Sequence, residues 1–300
     1  MKIVFIARFK QVWDEEPIAW AFEQCGVQVI RIEERTALRK DIISVIDREK
    51  PDLVLFTKLN TPQEPTTLIQ EIRQIGVPTV SWTFDLLKGH PTREKMMDNF
   101  KWLNADYNFI TDGGHDYGKN TFVLRQGIPD MFNYIAKSDK EKYPHKIAFV
   151  GTDNSHFPAR KKLMSELEDV YGDDFHWYGR NNAFEVRGGD LNVLCATVPI
   201  IIGCSMPSPY YWSNRLYEIQ GRGGFMIFPE IEGIHEEYPS LVTYKMGDTE
   251  DLVDKIDFYL SNEEKRVKTA YNAFEHTKNN HLFTHRAKQF LTIWENLSLT

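Results

Sequence analysis

Residues 209–233 read PYYWSNRLYEIQGRGGFMIFPEIEG, and the α/β reading of the chain starts there. Ser213 and Asn214 are short polar residues suited to a helix N-cap, and residues 213–220 have helical spacing. Gly221, Gly223 and Gly224 then supply a helix exit and a tight turn. Phe225-Met226-Ile227-Phe228 follows, a continuous apolar run of the kind that forms a strand buried on both faces. Helix, glycine turn and buried strand in succession are one step of an α/β series.

The same alternation extends in both directions. Upstream lie apolar strand patterns at 146–150, ending in Gly151, at 175–178 and at 198–203, with a helical pattern at 159–170. Downstream come a short strand at 241–244 and a helical tail with apolar spacing through Leu252, Ile256, Leu260, Phe290, Leu291 and Trp294. The first half repeats the theme. Strands are predicted at 3–6, 27–32, 53–56, 77–82, 107–110 and 122–124. Helices are predicted around Ala19 and Phe22, at 38–50, at 65–74 and at 93–103. Such spacing argues for βαβ units and parallel sheets. Residues 133–145 are polar and Lys-rich and read as a linker. The expected organisation is therefore a Rossmann-like domain at 1–132, the linker, a second Rossmann-like domain at 146–283, and a C-terminal helix at 284–300 packing back toward the first. Open parallel sheets bind ligands beyond the carboxyl ends of their strands, so a cleft between two such domains is the expected place for a small molecule.

Composition narrows the class. A chain of 300 residues with 42% apolar and 26% charged residues suits two ordinary globular domains. The net charge of −7 gives no overall electrostatic footprint for nucleic acid or an anionic membrane. Cys25, Cys195 and Cys204 are widely spaced, odd in number and flanked by apolar residues, which points to buried packing in a reducing, cytoplasmic setting. No apolar run approaches the roughly 20 residues of a transmembrane helix.

The opening stretch also carries chemistry. A helix start near Ser213 and Asn214 presents backbone N–H groups with partial positive charge, which suits a pyrophosphate. Arg215 could add a charge-assisted bond to a phosphate oxygen. Glu218, four residues after Asn214 on the same face, could accept the hydroxyls of a ribose. Two simpler readings stay open: the glycines form only a cap and turn, and Arg215 with Glu218 forms only a surface ion pair.

The segment resembles the C-terminal domain of the glycosyltransferase group 1 family, in its spore-maturation-protein-like branch. The resemblance rests on Ser213-Asn214-Arg215, Tyr217-Glu218, Gly221 to Phe225, and Glu232-Gly233. It is supported by Phe149-Val150-Gly151-Thr152 with Arg160, by Tyr178-Gly179, Asp190-Leu191-Asn192, Ile202-Gly203 and Gly247-Asp248, and by His281 with His285-Arg286. It implies the GT-B fold and a metal-independent transfer of a sugar from a nucleoside-diphosphate sugar, with a UDP-sugar the expected donor and no further cofactor. By the same resemblance Glu218 holds the ribose, Arg215 and the backbone at Asn214 face the diphosphate, and Gly151 and Thr152 lie close to the nucleotide. Arg160, Tyr217, Gly223 and Gly224 complete the implied nucleotide site. Related retaining enzymes carry a second glutamate eight residues before Glu218; here that position is Tyr210, so the stereochemical outcome is not implied.

The first half departs from the family pattern, with Ala7-Arg8-Phe9-Lys10 where a Gly-rich turn is usual. A general base there has three candidates: Asp85, which follows the strand ending near Thr83, and His90 and His115. Asp112-Gly113-Gly114-His115 also reads as a plain turn. No Asp-x-Asp triplet occurs, and His281 and His285, spaced i, i+4 as if on one helix face, lack the intervening glutamate of a zinc peptidase. No metal site is expected. Two other functions remain open, an inert GT-B scaffold that binds sugars or partners and a nucleotide-sugar epimerase. The acceptor is open too: a polysaccharide, a protein, a small molecule or a modified nucleic-acid base.

Overall fold

A computed structural model describes residues 1–9, 15–57, 65–90, 93–94, 104–152, 158–180 and 186–298. The chain divides into two compact units, Met1–Asp130 with Phe283–Thr300, and Met131–Leu282.

The first unit is built on a six-stranded parallel sheet. Its strands are β1 (Lys2–Ala7), β2 (Gln28–Glu33), β3 (Leu53–Phe56), β4 (Thr79–Thr83), β5 (Tyr107–Ile110) and β6 (Thr121–Val123), in the order β2-β1-β3-β4-β5-β6. All four residues of β3 are buried, because helices cover both faces of such a sheet. Helices α1 (Glu15–Gln24), α2 (Arg39–Glu49) and α3 (Pro65–Ile75) alternate with the strands. In α2, Ile42 and Ile46 lie i, i+4 and form the buried stripe, and Lys50 closes the helix in the left-handed region. Of the helix predicted at 93–103, only Arg93 and Glu94 are among the described residues.

The second unit carries β7 (Ile147–Val150), α4 (Pro158–Tyr171), β8 (Phe175–Tyr178), α5 (Gly189–Thr197), β9 (Ile200–Ile202), α6 (Arg215–Gln220), β10 (Met226–Pro229), α7 (Ile234–Glu237), β11 (Val242–Tyr244), α8 (Thr249–Ser261) and α9 (Glu263–Asn280). Its parallel sheet has the order β11-β10-β9-β7-β8. The last helix, α10 (Phe283–Ser298), belongs to the first unit, where Phe290 stacks on Phe109 at 4.4 Å and meets Phe22 edge-on at 5.1 Å.

Residues 133–145 lie against the second unit. Asn133 donates to Gly221 O at 2.7 Å, the Asp139 amide donates to Thr197 Oγ1 at 2.8 Å, and Tyr143 is buried in the core. His281 and His285 do not share a helix face. His281 closes α9 and His285 sits in α10, because the chain breaks its helix between them.

Both sheets share one arrangement. The first strand has the second on one side and the third on the other, so the connections reverse direction there. These topological switch points, between β1 and β3 and between β7 and β9, open a crevice at the carboxyl ends of the strands where α/β proteins hold ligands.

Candidate functional site

Arg215, at the first position of α6, spans the switch point of the second unit. Its Nε donates to Val150 O at the end of β7 at 2.5 Å, and its Nη1 donates to Cys204 O beyond β9 at 3.3 Å and to Ser213 Oγ at 3.2 Å. The guanidinium lies 4.8 Å from the centre of the Phe149 ring. Arg160, from α4, stands 5.6 Å from the same ring, with Nε 3.1 Å from Cys204 Sγ and Nη1 donating to Thr152 O at 3.1 Å. Arg215 forms no ion pair among the described residues; the groups it bonds are neutral acceptors, and Arg160 is a second cation nearby. Burial, with the Arg160 charge adding to it, pulls its pKa down to about 10. An anion bound here would reverse that penalty.

Gly151 lets this arginine come close to the backbone. A Cβ at Gly151 would sit 2.6 Å from Arg215 Nη2 and 3.0 Å from Phe149, so a side chain there would push the guanidinium from its place. Gly179, after β8 and at φ +99°, lets the backbone pass over Gly151, where a Cβ would come 2.6 Å from Gly151 O. The carboxyl ends of β7, β8 and β9 thus converge on bare backbone and two guanidiniums.

Glu218 does not pair with Arg215. Its carboxylate is held instead by Arg222, one helical turn on, whose side chain is 2% exposed against 19% for Glu218. Arg222 Nε donates to Asn192 Oδ1 at 3.0 Å, and Asn192 Nδ2 donates to Phe132 O and Tyr134 O at 2.8 and 2.7 Å. A chain of charge-assisted and neutral bonds therefore fixes a part-exposed carboxylate on α6. Arg222 and Asn192 lie in segments that carry the resemblance, but the sequence alone assigned neither of them a role.

Other implied contacts fall elsewhere. Asn214 stands at the N-cap of α6 but makes no capping bond; its Oδ1 is buried without a hydrogen-bond partner, as are Ser205 Oγ and Ser208 Oγ. Tyr217 is buried, accepting from Trp212 Nε1 at 2.9 Å and donating to Glu237 Oε1 at 2.7 Å, so it braces α6 from the core. Gly223, at φ +78°, packs on Ile135, and Gly224 fits between Ile219 and Cys195. Cavities of about 570 and 340 Å³ open in this unit, and Arg160, Arg215 and Glu218 line neither of these. Among the described residues no group of three or more His, Cys, Asp or Glu side chains is placed to hold a metal ion.

In the first unit the three base candidates separate. Asp85 is tied to Arg93 at 3.0 Å. His90 is 3% exposed, and its Nδ1 accepts the Arg93 amide at 3.2 Å, a local turn contact. His115 is different: its side chain is 30% exposed, and its Nδ1 lies 2.9 Å from Oδ2 of Asp112, which is 1% exposed. Asp112 follows β5 and also accepts from the Gly114 amide at 2.9 Å and the Tyr117 hydroxyl at 2.5 Å. Burial and the Asp112 charge push the Tyr117 phenol well above its usual range, so it remains a donor. A carboxylate on Nδ1 favours the tautomer with Nε2 unprotonated, the form a general base requires. At the switch point of this unit, Arg8 pairs with buried Glu34 at 2.7 Å, and Thr57 Oγ1 donates to Glu15 Oε1 at 3.2 Å.

Residues 160–292 match the family model described as "Glycosyl transferase-like". The whole chain superposes on Anabaena Alr3699/HepE crystallised with UDP, at TM-score 0.66 and 15% identity over 100% of both chains. HepE crystallised with UDP-glucose gives 0.67 and 14%, again over 100% of both chains. AviGT4, a glycosyltransferase involved in avilamycin A biosynthesis, gives 0.56 and 12% over 99% of this chain and 97% of its own. The fold is GT-B. No curated protein matches the sequence. In this GT-B chain the family match covers Arg160, Arg215 and Glu218, with all of α6 and all of α4 but its first two residues. Among the described residues no helix is long and apolar enough to cross a membrane.

Proposed function

We propose that the chain is a metal-independent glycosyltransferase, moving a sugar from a nucleoside-diphosphate sugar, a UDP-sugar first, to an acceptor hydroxyl. One observation carries this reading. Arg215 bridges the carboxyl ends of β7 and β9 at the sheet's switch point, with Arg160 beside it and no carboxylate to neutralise it among the described residues. That arrangement fits a diphosphate. HepE, of the same fold, was crystallised with UDP and UDP-glucose, and this supports the nucleotide class.

In the transfer, negative charge grows on the diphosphate oxygen as the sugar–phosphate bond breaks. Arg215 and Arg160, fixed before the reaction and poorly hydrated, would stabilise that charge, the role a divalent cation fills in other transferases. Glu218, held by Arg222, would accept the ribose hydroxyls. His115, oriented by Asp112, is the group in the first unit best built to take the proton of an acceptor hydroxyl. The spore-maturation-like branch, a hexosyl substrate and a reducing cytoplasmic setting, in keeping with three free cysteines, complete the reading.

The test is turnover of UDP-sugars in EDTA, with released UDP measured by mass spectrometry in the presence and absence of candidate acceptors. The reading expects release by the native chain and its loss in Arg215→Met. No release from any nucleoside-diphosphate sugar, alongside tight sugar or partner binding, would favour the inert scaffold.

A further inference from the structure

The cavity of about 340 Å³ lies away from the residues that carry the proposed transfer. Val198 and Pro199, which lead into β9, and Phe225, which leads into β10, are among its lining. It therefore sits at the amino ends of these strands, whereas Arg215 binds carbonyls at and beyond the carboxyl ends of β7 and β9. Every residue that lines it belongs to the second unit.

Much of the lining is apolar and open to water. Helix α9 contributes Val267, Ala270 and Tyr271, spaced three and four residues apart so that they share one helix face. Val267 is 56% exposed and Tyr271 54%, and Ile135, packed on Gly223 in the same lining, is 50% exposed. Three large apolar side chains half open around one hollow carry a hydration cost that a bound apolar body would remove. Cys195 adds no charge to the lining, because burial pushes its thiol up to about 12.

The charges choose the head group. Arg266 lines the cavity and is 8% exposed. Among the described residues its guanidinium gives one hydrogen bond, to Tyr259 O. Its acidic neighbour Glu263 stands 3.6 Å off, beyond hydrogen-bond reach, with a side chain 80% exposed. A guanidinium carries five N–H donors in a planar fork that matches a carboxylate, so most of this buried cation's capacity is unused. Lys140, in the same lining, forms no ion pair among the described residues. Two cations against one exposed carboxylate leave the lining net positive. The volume is that of about eleven water molecules at about 30 Å³ each, at the small end for a ligand pocket. We propose that this cavity binds a small amphipathic acid, with its aliphatic body against Ile135, Val267 and Tyr271 and its carboxylate on the Arg266 guanidinium, Lys140 beside it.

The experiment is calorimetric titration of the full chain with octanoate, 1-octanol and octylammonium, which share one chain and differ in head-group charge. Octanoate should bind one to one with a Kd of about 0.1–1 mM, within reach of a ligand of about ten non-hydrogen atoms. Octanol should bind at least about tenfold more weakly, the size of a lost charge-assisted bond, and octylammonium should show no saturable binding. Arg266→Gln should bring octanoate down to the level of octanol. Val267→Glu, at an exposed position, should keep its melting temperature and lose at least about tenfold in octanoate affinity, since it sets a like charge beside the acid. Absence of saturable octanoate binding, equal affinity for octanoate and octylammonium, or binding indifferent to both substitutions overturns the inference. A chain that ignores octanoate but forms a dimer dissociated by Val267→Glu, or floats with anionic phospholipid vesicles only while Val267 is present, assigns the surface to a second copy or a membrane and overturns it equally.

Discussion

Arg215→Met separates a guanidinium that waits for an anion from one that holds the fold together. Methionine keeps the length and the apolar contact with Phe149 and removes the charge. Burial lowers the arginine pKa from 12.5 to about 10, which at about 1.4 kcal/mol per unit is a cost of about 3 kcal/mol for keeping the cation folded. This is an upper figure, because part of the side chain reaches solvent. The sign follows from the direction: a base with a depressed folded pKa carries the whole penalty below about pH 10, so the penalty is fully present at pH 7.5. Against it stand the hydrogen bonds to Val150 O, Cys204 O and Ser213 Oγ, at about 1 kcal/mol each. The two effects nearly cancel, so unliganded stability in urea should change by no more than about 1 kcal/mol. Affinity for UDP should fall by about tenfold to a hundredfold, the size of a lost charge-assisted bond. Urea melts and calorimetry read the two separately. A loss of about 3–5 kcal/mol in stability with UDP affinity intact, the pattern of a broken buried ion pair, would refute this reasoning.

Glu218→Gln should weaken UDP binding about tenfold and abolish discrimination between UDP and its 2′-deoxy analogue, measured by calorimetry with both ligands. His115→Ala should lower kcat by about a hundredfold or more at unchanged donor affinity once an acceptor is in hand, whereas His90→Ala should show itself first as lost thermal stability. Burial raises the Glu15 pKa above 4.5, so its contribution to stability is fully present below pH 4.5 and lost as pH rises through the folded value. Glu15→Gln should flatten that dependence and be at least as stable as the native chain at pH 7, by urea unfolding at both ends of the window. Phe290→Ala removes a fully buried ring stacked on Phe109 and should cost about 3–5 kcal/mol in the same unfolding assay.

Much of the fold was legible because buried parallel strands are written as unbroken apolar runs. Leu53 to Phe56 and Ile200 to Ile202 are examples, completely buried as their composition requires. Helix α5 was not, because it starts at a glycine pair and buries Asn192 and Thr197 along with its apolar residues, which erases the amphipathic pattern. Residues 133–145 looked like a linker because their side chains are polar. Among what holds them are the Asp139 amide, the Asn133 side chain, the Tyr134 carbonyl and one ring, Tyr143.

The side-chain pairings of the candidate residues were not legible in the sequence. Glu218 could pair with Arg215 at i−3 or Arg222 at i+4, and helix geometry allows both. The choice was made by Val150 and Cys204, whose carbonyls draw Arg215 toward the sheet and leave Glu218 to Arg222. Arg222 hid among glycines that read as a turn. The Asp112–His115 spacing was visible, but the burial that makes Asp112 an orienting carboxylate comes from the fold around it.

The most direct measurement is calorimetric titration of UDP into the full chain in the presence of EDTA, repeated with Arg215→Met. Saturable one-to-one binding without a divalent cation, weakened at least about tenfold in the variant, is the expected result. No binding of UDP or GDP, binding that appears only when Mg²⁺ or Mn²⁺ is restored, or binding indifferent to Arg215 would contradict a metal-independent nucleotide-sugar site at the β7–β9 switch point.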